Sequence, residues 1–150
     1  MKSEYVKHLL VNVVNNSGNP LPKYAREGDA GMDICASEDK DISPMGWTVV
    51  PTGIYMELPK GYECQIRSRS GLAAKHGIQV LNSPGTIDSG YRGEIKVILK
   101  NNHIDQTYNV KKGDRIAQMV FARCVNTTLN QTLFLSDSER GEGGLGSTGK

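Results

Sequence analysis

Gly or Pro interrupts this chain every few residues, and that spacing constrains the fold more than any other feature. The breaks fall at Gly18, Pro20, Pro22, Gly28, Gly31, Pro44, Gly46, Pro51, Gly53, Pro59, Gly61, Gly71, Gly77, Pro84, Gly85, Gly90, Gly93 and Gly113. A helix of ordinary length needs about 11 uninterrupted residues, which this punctuation rarely leaves. The stretches between the breaks carry a period of two instead. Tyr62, Cys64 and Ile66 alternate with Glu63, Gln65 and Arg67; Ile95, Val97 and Leu99 alternate with Glu94, Lys96 and Lys100. That alternation predicts strands with one face buried. Trp47–Val50, Ile54–Leu58 and Ile116–Phe121 read as further short strands, with Val11–Val14 and Ile34–Ala36 as weaker ones. One short helix is predicted, from Gly71 to His76, ending at Gly77. Many short strands separated by Gly/Pro turns predict an antiparallel sandwich or barrel.

The chain has 150 residues, which predicts one domain able to bury a core without staples. Its net charge of +2 is too mild for a duplex nucleic-acid partner but leaves room for a local cationic pocket. Cys35, Cys64 and Cys124 are odd in number and widely spaced, so reduced thiols are expected rather than a disulfide framework or zinc site. The sequence MKSEYVKHLL holds no sustained apolar region and no run reaches the ~20 residues of a membrane span, so no membrane role and a cytoplasmic location are expected. The pattern divides the chain into a body over residues 1–135 and a polar, glycine-rich arm over residues 136–150.

Four segments have a composition suited to chemistry. Residues 140–149 hold five glycines with Arg140, Ser147 and Thr148. Such a tail is either a disordered end or an arm whose N–H groups, guanidinium and hydroxyls close over an anion. Arg67-Ser68-Arg69-Ser70-Gly71 stands where a strand enters the short helix, giving either a serine cap or a phosphate site. Asn82–Glu94 reads as a hairpin in which Leu81 and Ile87 place Asp88 in a partly dry setting, where it is a turn residue or a general base. Gln118 falls among apolar strand residues and needs a polar partner, which a ligand can supply. Asp33 alone is uninformative. His8, His76 and His103 form no triad or metal spacing.

Read in order, five segments resemble the motifs of the trimeric dUTPase family: AGMDICA from Ala30, RSGLA from Arg69, NSPGTIDSGYRGE from Asn82, GDRIAQMV from Gly113 and RGEGGLGSTG from Arg140. The resemblance spans about 120 residues, from Ala30 to Gly149. It implies a β jelly roll assembled as a homotrimer with three shared active sites. It implies that Asp88 activates the water that attacks the α-phosphorus of dUTP, giving dUMP for thymidylate synthesis and pyrophosphate. Tyr91 would pack on the deoxyribose and exclude a 2′-hydroxyl. Asn82, Gly85, Thr86, Ile87 and Lys96 would line the nucleoside pocket, and hairpin backbone groups would read the uracil edge. Arg69, Ser70, Gly71 and Gln118 would hold phosphates. Asp33 would hold a water of a Mg2+ shell. Arg140, Leu145, Gly146, Ser147 and Thr148 would close over a neighbouring subunit's site; Ala122–Glu139, if extended, reaches up to about 60 Å.

Leu145 departs from the pattern, because the family motif has Phe there, stacked on the uracil. Two other readings compete. A dCTP deaminase-like relative would need a catalytic Glu where this chain has Ile98. A non-catalytic jelly-roll module for nucleotide or protein binding would have no use for Asp88, Arg69 and the arm together.

Overall fold

The computed structural model describes residues 8–145. Ten strands and one helix form within them. In chain order these are β1 (Asn12–Asn15), β2 (Gly31–Cys35), β3 (Lys40–Ile42), β4 (Trp47–Glu57), β5 (Tyr62–Arg67), α1 (Ser70–His76), β6 (Ile78–Val80), β7 (Gly85–Ile87), β8 (Ile95–Asn101), β9 (Tyr108–Val110) and β10 (Arg115–Arg123). All pairings are antiparallel, in two four-stranded sheets, β1-β4-β8-β6 and β2-β10-β5-β7, with a two-stranded sheet β3-β9. The all-β class and the short helix are as the sequence predicts.

The period of two does the packing. Ile95, Val97 and Leu99 of β8 are each no more than 1% exposed, while Lys96 between them is exposed. Side chains from all three sheets meet in one apolar core, including Ile34, Ile42, Val50, Ile66, Val110 and Ile116. Burying an aliphatic side chain of this size contributes roughly 1.5–3 kcal/mol. The strand β5 lies inside its sheet, paired to β10 on one side and β7 on the other.

Three expectations change. Trp47–Val50 and Ile54–Leu58 are one 11-residue strand, β4, whose register with β8 shifts between Pro51 and Ile54. Pro51 has no N–H for the ladder, and Gly53 holds φ at 66°; together they make an irregularity where the sequence pattern implied an end. The predicted hairpin is not a paired hairpin, because β6 bonds to β8 and β7 bonds to β5 in the other sheet. The chain crosses between sheets at Leu81–Pro84, through a cis Ser83–Pro84 bond. The short strands β3 and β9 were not predicted. Each offers one buried residue at its end, Ile42 or Val110, too little for a period to register.

α1 has Arg69 at its N-cap in an extended conformation, with no side-chain cap, so Ser70 is not the capping serine. Gly77 closes the helix in the left-handed region, its N–H bonded to the Ala73 and Leu72 carbonyls. After Cys124, whose N–H donates to the Gly61 carbonyl at 2.9 Å, the chain leaves the packed body. From Asn126 to Leu145 every residue except Gly143 is exposed.

Candidate active site

Two groups of residues assemble along β5. Alongside it, from Ile66 to the level of Glu63, the β6–β7 crossover and the turn after β7 wrap a cleft of about 260 Å³. Its lining is Ile66, Val80, Asn82, Gly85, Thr86, Ile87, Asp88, Tyr91, Glu94 and Lys96. Seven residues singled out in the sequence therefore come together: Asn82, Gly85, Thr86, Ile87, Asp88, Tyr91 and Lys96. The floor is apolar and the rim polar, as small-molecule clefts are.

The rim is held by a dense set of bonds. The Tyr91 N–H donates to the Asp88 carbonyl at 3.1 Å, closing the turn that carries the carboxylate. Arg92 Nη1 donates to the Ser89 carbonyl at 2.6 Å, and its Nη2 pairs with Glu57 at 3.3 Å, tying the turn to the end of β4. The Tyr91 hydroxyl donates to the Glu94 carbonyl at 2.9 Å. One expectation fails here. Asp88 is exposed rather than partly dry in a single chain, because Leu81 turns outward and Ile87 is only half-buried.

At the Arg69 end the construction is electrostatic. The two oxygens of Asp33 each take one arginine: Arg69 Nε at 3.0 Å and Arg115 Nη1 at 3.5 Å. Arg69 Nη1 also donates to the Arg115 carbonyl at 2.9 Å. Asp33 and Arg69 are 34% and 24% exposed, so the pair is partly screened from water but still open to an incoming anion. Gln118 stands opposite Asp33 across the β10–β2 ladder. It is half-buried, and its Nε2 donates to the Ser68 carbonyl at 3.0 Å, so the chain itself supplies its partner. Ser70 and Gly71 follow directly and are exposed. The field is visible at Cys35, whose thiol is raised by burial first and the Asp33 charge second, against Arg115 and Arg69. A second cavity, of about 280 Å³, runs from Asp33 and Arg115 under the segment Asn19–Ala25.

The register measures the separation of the two groups. Cys64 pairs with Ile87 and Ile66 with Gly85, so Asp88 falls level with Glu63. The Cys124 thiol is raised by desolvation first, then by the charges of Glu63 and Asp88. From Glu63 to Arg67 the strand advances about 13 Å, and Arg69 lies beyond its end at the start of α1. Asp88 and the arginine bracket are therefore set off from each other along the strand direction. Arg140 and Leu145 join neither group. Arg140 Nε donates to the Gly143 carbonyl at 2.8 Å on the exposed arm, and Leu145 is fully exposed. Gly146, Ser147 and Thr148 lie outside the described residues.

The dUTPase family profile matches residues 18–149. The chain belongs to the dUTPase family. It is thereby a hydrolase of the dUTP diphosphatase class. A deoxyuridine 5'-triphosphate nucleotidohydrolase of Clostridium tetani is 54% identical over 130 residues, 87% of this chain and 89% of that one. Another, of Finegoldia magna, is 47% identical over 141 residues, 93% and 98% of the two chains. Among solved structures, a Staphylococcus bacteriophage 80alpha dUTPase with dUpNHpp superposes at a TM-score of 0.85 with 29% identity, covering 97% of this chain and all of that one. The fold is the jelly-roll-like β architecture of these dUTPases.

Two residues of this dUTPase escaped the sequence reading. Arg115 was passed over because its route to Asp33 depends on the register shift between Arg115 and Ala117, which no periodicity shows. Glu94 read as an outward strand residue, yet its side chain is only 19% exposed.

Proposed function

We propose that the protein hydrolyses dUTP to dUMP and pyrophosphate, with Asp88 as the base that activates the attacking water. The uracil and deoxyribose occupy the cleft lined by Asn82, Gly85, Thr86, Ile87, Tyr91 and Lys96. The triphosphate lies against Arg69, Ser70, Gly71 and Gln118. Water adds to the α-phosphorus, its proton passes to the Asp88 carboxylate, and the bond to the α–β bridging oxygen breaks, releasing pyrophosphate. Such a reaction depends on in-line positioning and charge neutralisation more than on covalent chemistry.

The observation that carries the reading is the division along β5. A nucleoside-sized cleft runs along the strand with its carboxylate at the Glu63 end, and an arginine bracket lies beyond Arg67. Neither end is a site for a nucleoside triphosphate alone. Joining the Asp88 end of one copy to the Arg69 end of another completes the inventory, which is why we assign a homotrimer with shared sites. The exposed Leu129, Leu133, Phe134 and Leu145 give the arm apolar side chains that a neighbouring copy can cover. In this reading Arg140, Leu145, Gly146, Ser147 and Thr148 close over that neighbour's substrate.

The donor set bears on the metal. Among the described residues no three His, Cys, Asp or Glu groups cluster as a metal cage, and Asp33 is already compensated by two arginines. That set fits a magnesium ion brought by the triphosphate in its water shell, with Asp33 accepting from a bound water. When bound, the ion would neutralise phosphate charge. A phage phi11 dUTPase of S. aureus, at a TM-score of 0.76 and 26% identity over 87% of this chain, is described with a structural Mg(II) ion.

No carboxylate stands where a deaminase would need one: Ile98 is half-buried, and its carbonyl accepts the Leu81 N–H at 2.8 Å. Among the described residues no helix is long and apolar enough to cross a membrane. We place the activity in the cytoplasm, where its dUMP would supply thymidylate synthesis. Pyrophosphate release from a panel of deoxynucleoside triphosphates, with and without magnesium, tests the reading. Turnover restricted to dUTP and stimulated by magnesium is expected; ammonia release from dCTP, or binding without turnover, would overturn it.

A further inference from the structure

One partly buried carboxylate beside the cleft has no role in the chemistry above. Glu94 follows the Asp88–Tyr91 turn and precedes β8. Its Oε1 accepts the Gly53 N–H at 3.0 Å, and its Oε2 stands 3.7 Å from Lys96 Nζ. Its own carbonyl accepts the Tyr91 hydroxyl at 2.9 Å. A side chain 19% exposed gives up much of its hydration and needs these partners.

The anchor at Gly53 is itself unusual. Gly53 lies at the register shift of β4, with φ at 66°. A Cβ there would come within 2.7 Å of the Ser17 backbone. The irregularity turns the Gly53 N–H away from the ladder and towards Glu94. On the other side, a Cβ on Gly93 would collide with the Tyr91 hydroxyl, so the ring lies directly on the backbone that Glu94 holds. A rigid point in β4 is thereby connected, through one residue, to the two side chains that the proposed function sets against the sugar and the nucleoside.

We propose that Glu94 is a positioning residue that sets the dUTP-over-UTP discrimination of the site, by fixing the Tyr91 ring relative to the core. This rests on the reading that Tyr91 faces the deoxyribose. If the ring is free to shift by a fraction of an ångström, it ceases to exclude a 2′-hydroxyl, and the preference for the deoxy sugar narrows.

The test measures kcat/KM for dUTP and for UTP on the full chain, comparing wild type with Glu94→Ala, Glu94→Asp, Glu94→Gln and Tyr91→Ala. Glu94→Ala removes the anchor, and Glu94→Asp keeps the charge but falls short of Gly53. Both are expected to reduce the dUTP/UTP ratio by about tenfold or more, the scale on which pocket contacts discriminate. Glu94→Gln keeps an acceptor for the Gly53 N–H and is expected to hold the ratio within about threefold of wild type by the same measure. A role as a brace alone would lower Tm in the Ala and Asp variants and leave the ratio unchanged, overturning the proposal. If Glu94→Ala does not fold, the Asp and Gln pair decides it. Loss of discrimination in Tyr91→Ala with full discrimination in Glu94→Asp overturns the Glu94 inference alone; full discrimination in Tyr91→Ala overturns the Tyr91 reading and this inference with it.

Discussion

At the Glu63 end of β5 the backbone makes the site, and at the Arg69 end side chains make it. The cleft around Asp88 takes its shape from a sheet crossover, a tight turn and bonds such as Tyr91 N–H to Asp88 carbonyl at 3.1 Å. The bracket around Asp33 takes its shape from three charges, with Arg69 at 3.0 Å and Arg115 at 3.5 Å. A shape made by backbone selects by fit, so changes there alter which nucleotide is accepted. A shape made by compensated charge suits an anion; under the proposed function the triphosphate draws the guanidinium groups from a carboxylate that already holds them.

The sharpest test of this comparison is Asp88→Asn. Loss of a general base lowers kcat by roughly 10²–10⁴-fold. KM for dUTP should change little, because Asp88 lies on the rim of the cleft; a kcat near wild type in stopped-flow measurement removes Asp88 from the mechanism. Next comes Arg69→Ala at the charged end. A hydrogen bond to a charged group contributes about 1.5–3 kcal/mol, so kcat/KM should fall by roughly 10–10²-fold. The loss should shrink as salt rises, because screening weakens the wild-type contact. A fall that reads as changed dUTP-over-UTP preference instead would erase the distinction between the two ends.

Co-refolding Asp88→Asn with Arg69→Ala chains in equal amounts joins the two tests. If each site takes Asp88 from one copy and Arg69 from another, random assembly leaves about a quarter of the sites intact in a symmetric oligomer. Activity should recover to about that fraction of wild type; no recovery would mean that each chain builds its own site. A smaller effect is expected at the arm. Aromatic stacking on a base is worth about 1–3 kcal/mol, so Leu145→Phe should lower KM or raise kcat several-fold, and unchanged constants would count against lid closure over the base.

The smallest effect concerns the strand between the two ends. Burial pushes the Cys64 thiol up to about 12 from 9.0, with the Glu63 charge adding to it. The unfolded chain ionises this thiol first as pH rises, so the folded state binds more protons between these values. Stability should be complete below about pH 9 and decline as pH rises towards 12. Urea titrations of wild type and Cys64→Ala should show the larger decline in wild type; equal slopes would refute the burial of this thiol.

Much of this was legible in the residues themselves. Alternation along Tyr62–Arg67 and Glu94–Lys100 located two of the strands that carry the site, because period-two burial is a local property. The Asn82–Glu94 motif likewise picked out most of the cleft lining. What escaped was non-local. Nothing in Pro51-Thr52-Gly53 says that the strand continues past its irregularity, or that the Gly53 N–H will find a carboxylate 41 residues away in sequence. Nor does the sequence show that Asp88 lies level with Glu63 rather than Arg69, since register depends on which strands pair. The dry setting expected for Asp88 failed on that point: Leu81 and Ile87 flank it in sequence, but the crossover sends Leu81 outward.

The distance along β5 has a consequence for how such an enzyme behaves when scarce. A strand is stiff, and the roughly 13 Å from Glu63 to Arg67 cannot be folded up to bring its two ends together. A site completed between copies therefore obeys mass action. Specific activity should fall on dilution below the dissociation constant of the assembly, with every chain still folded, and saturating substrate bridging two copies should restore it. If the site is shared between copies as proposed, the rigidity of one short strand makes the amount of protein present a determinant of its turnover.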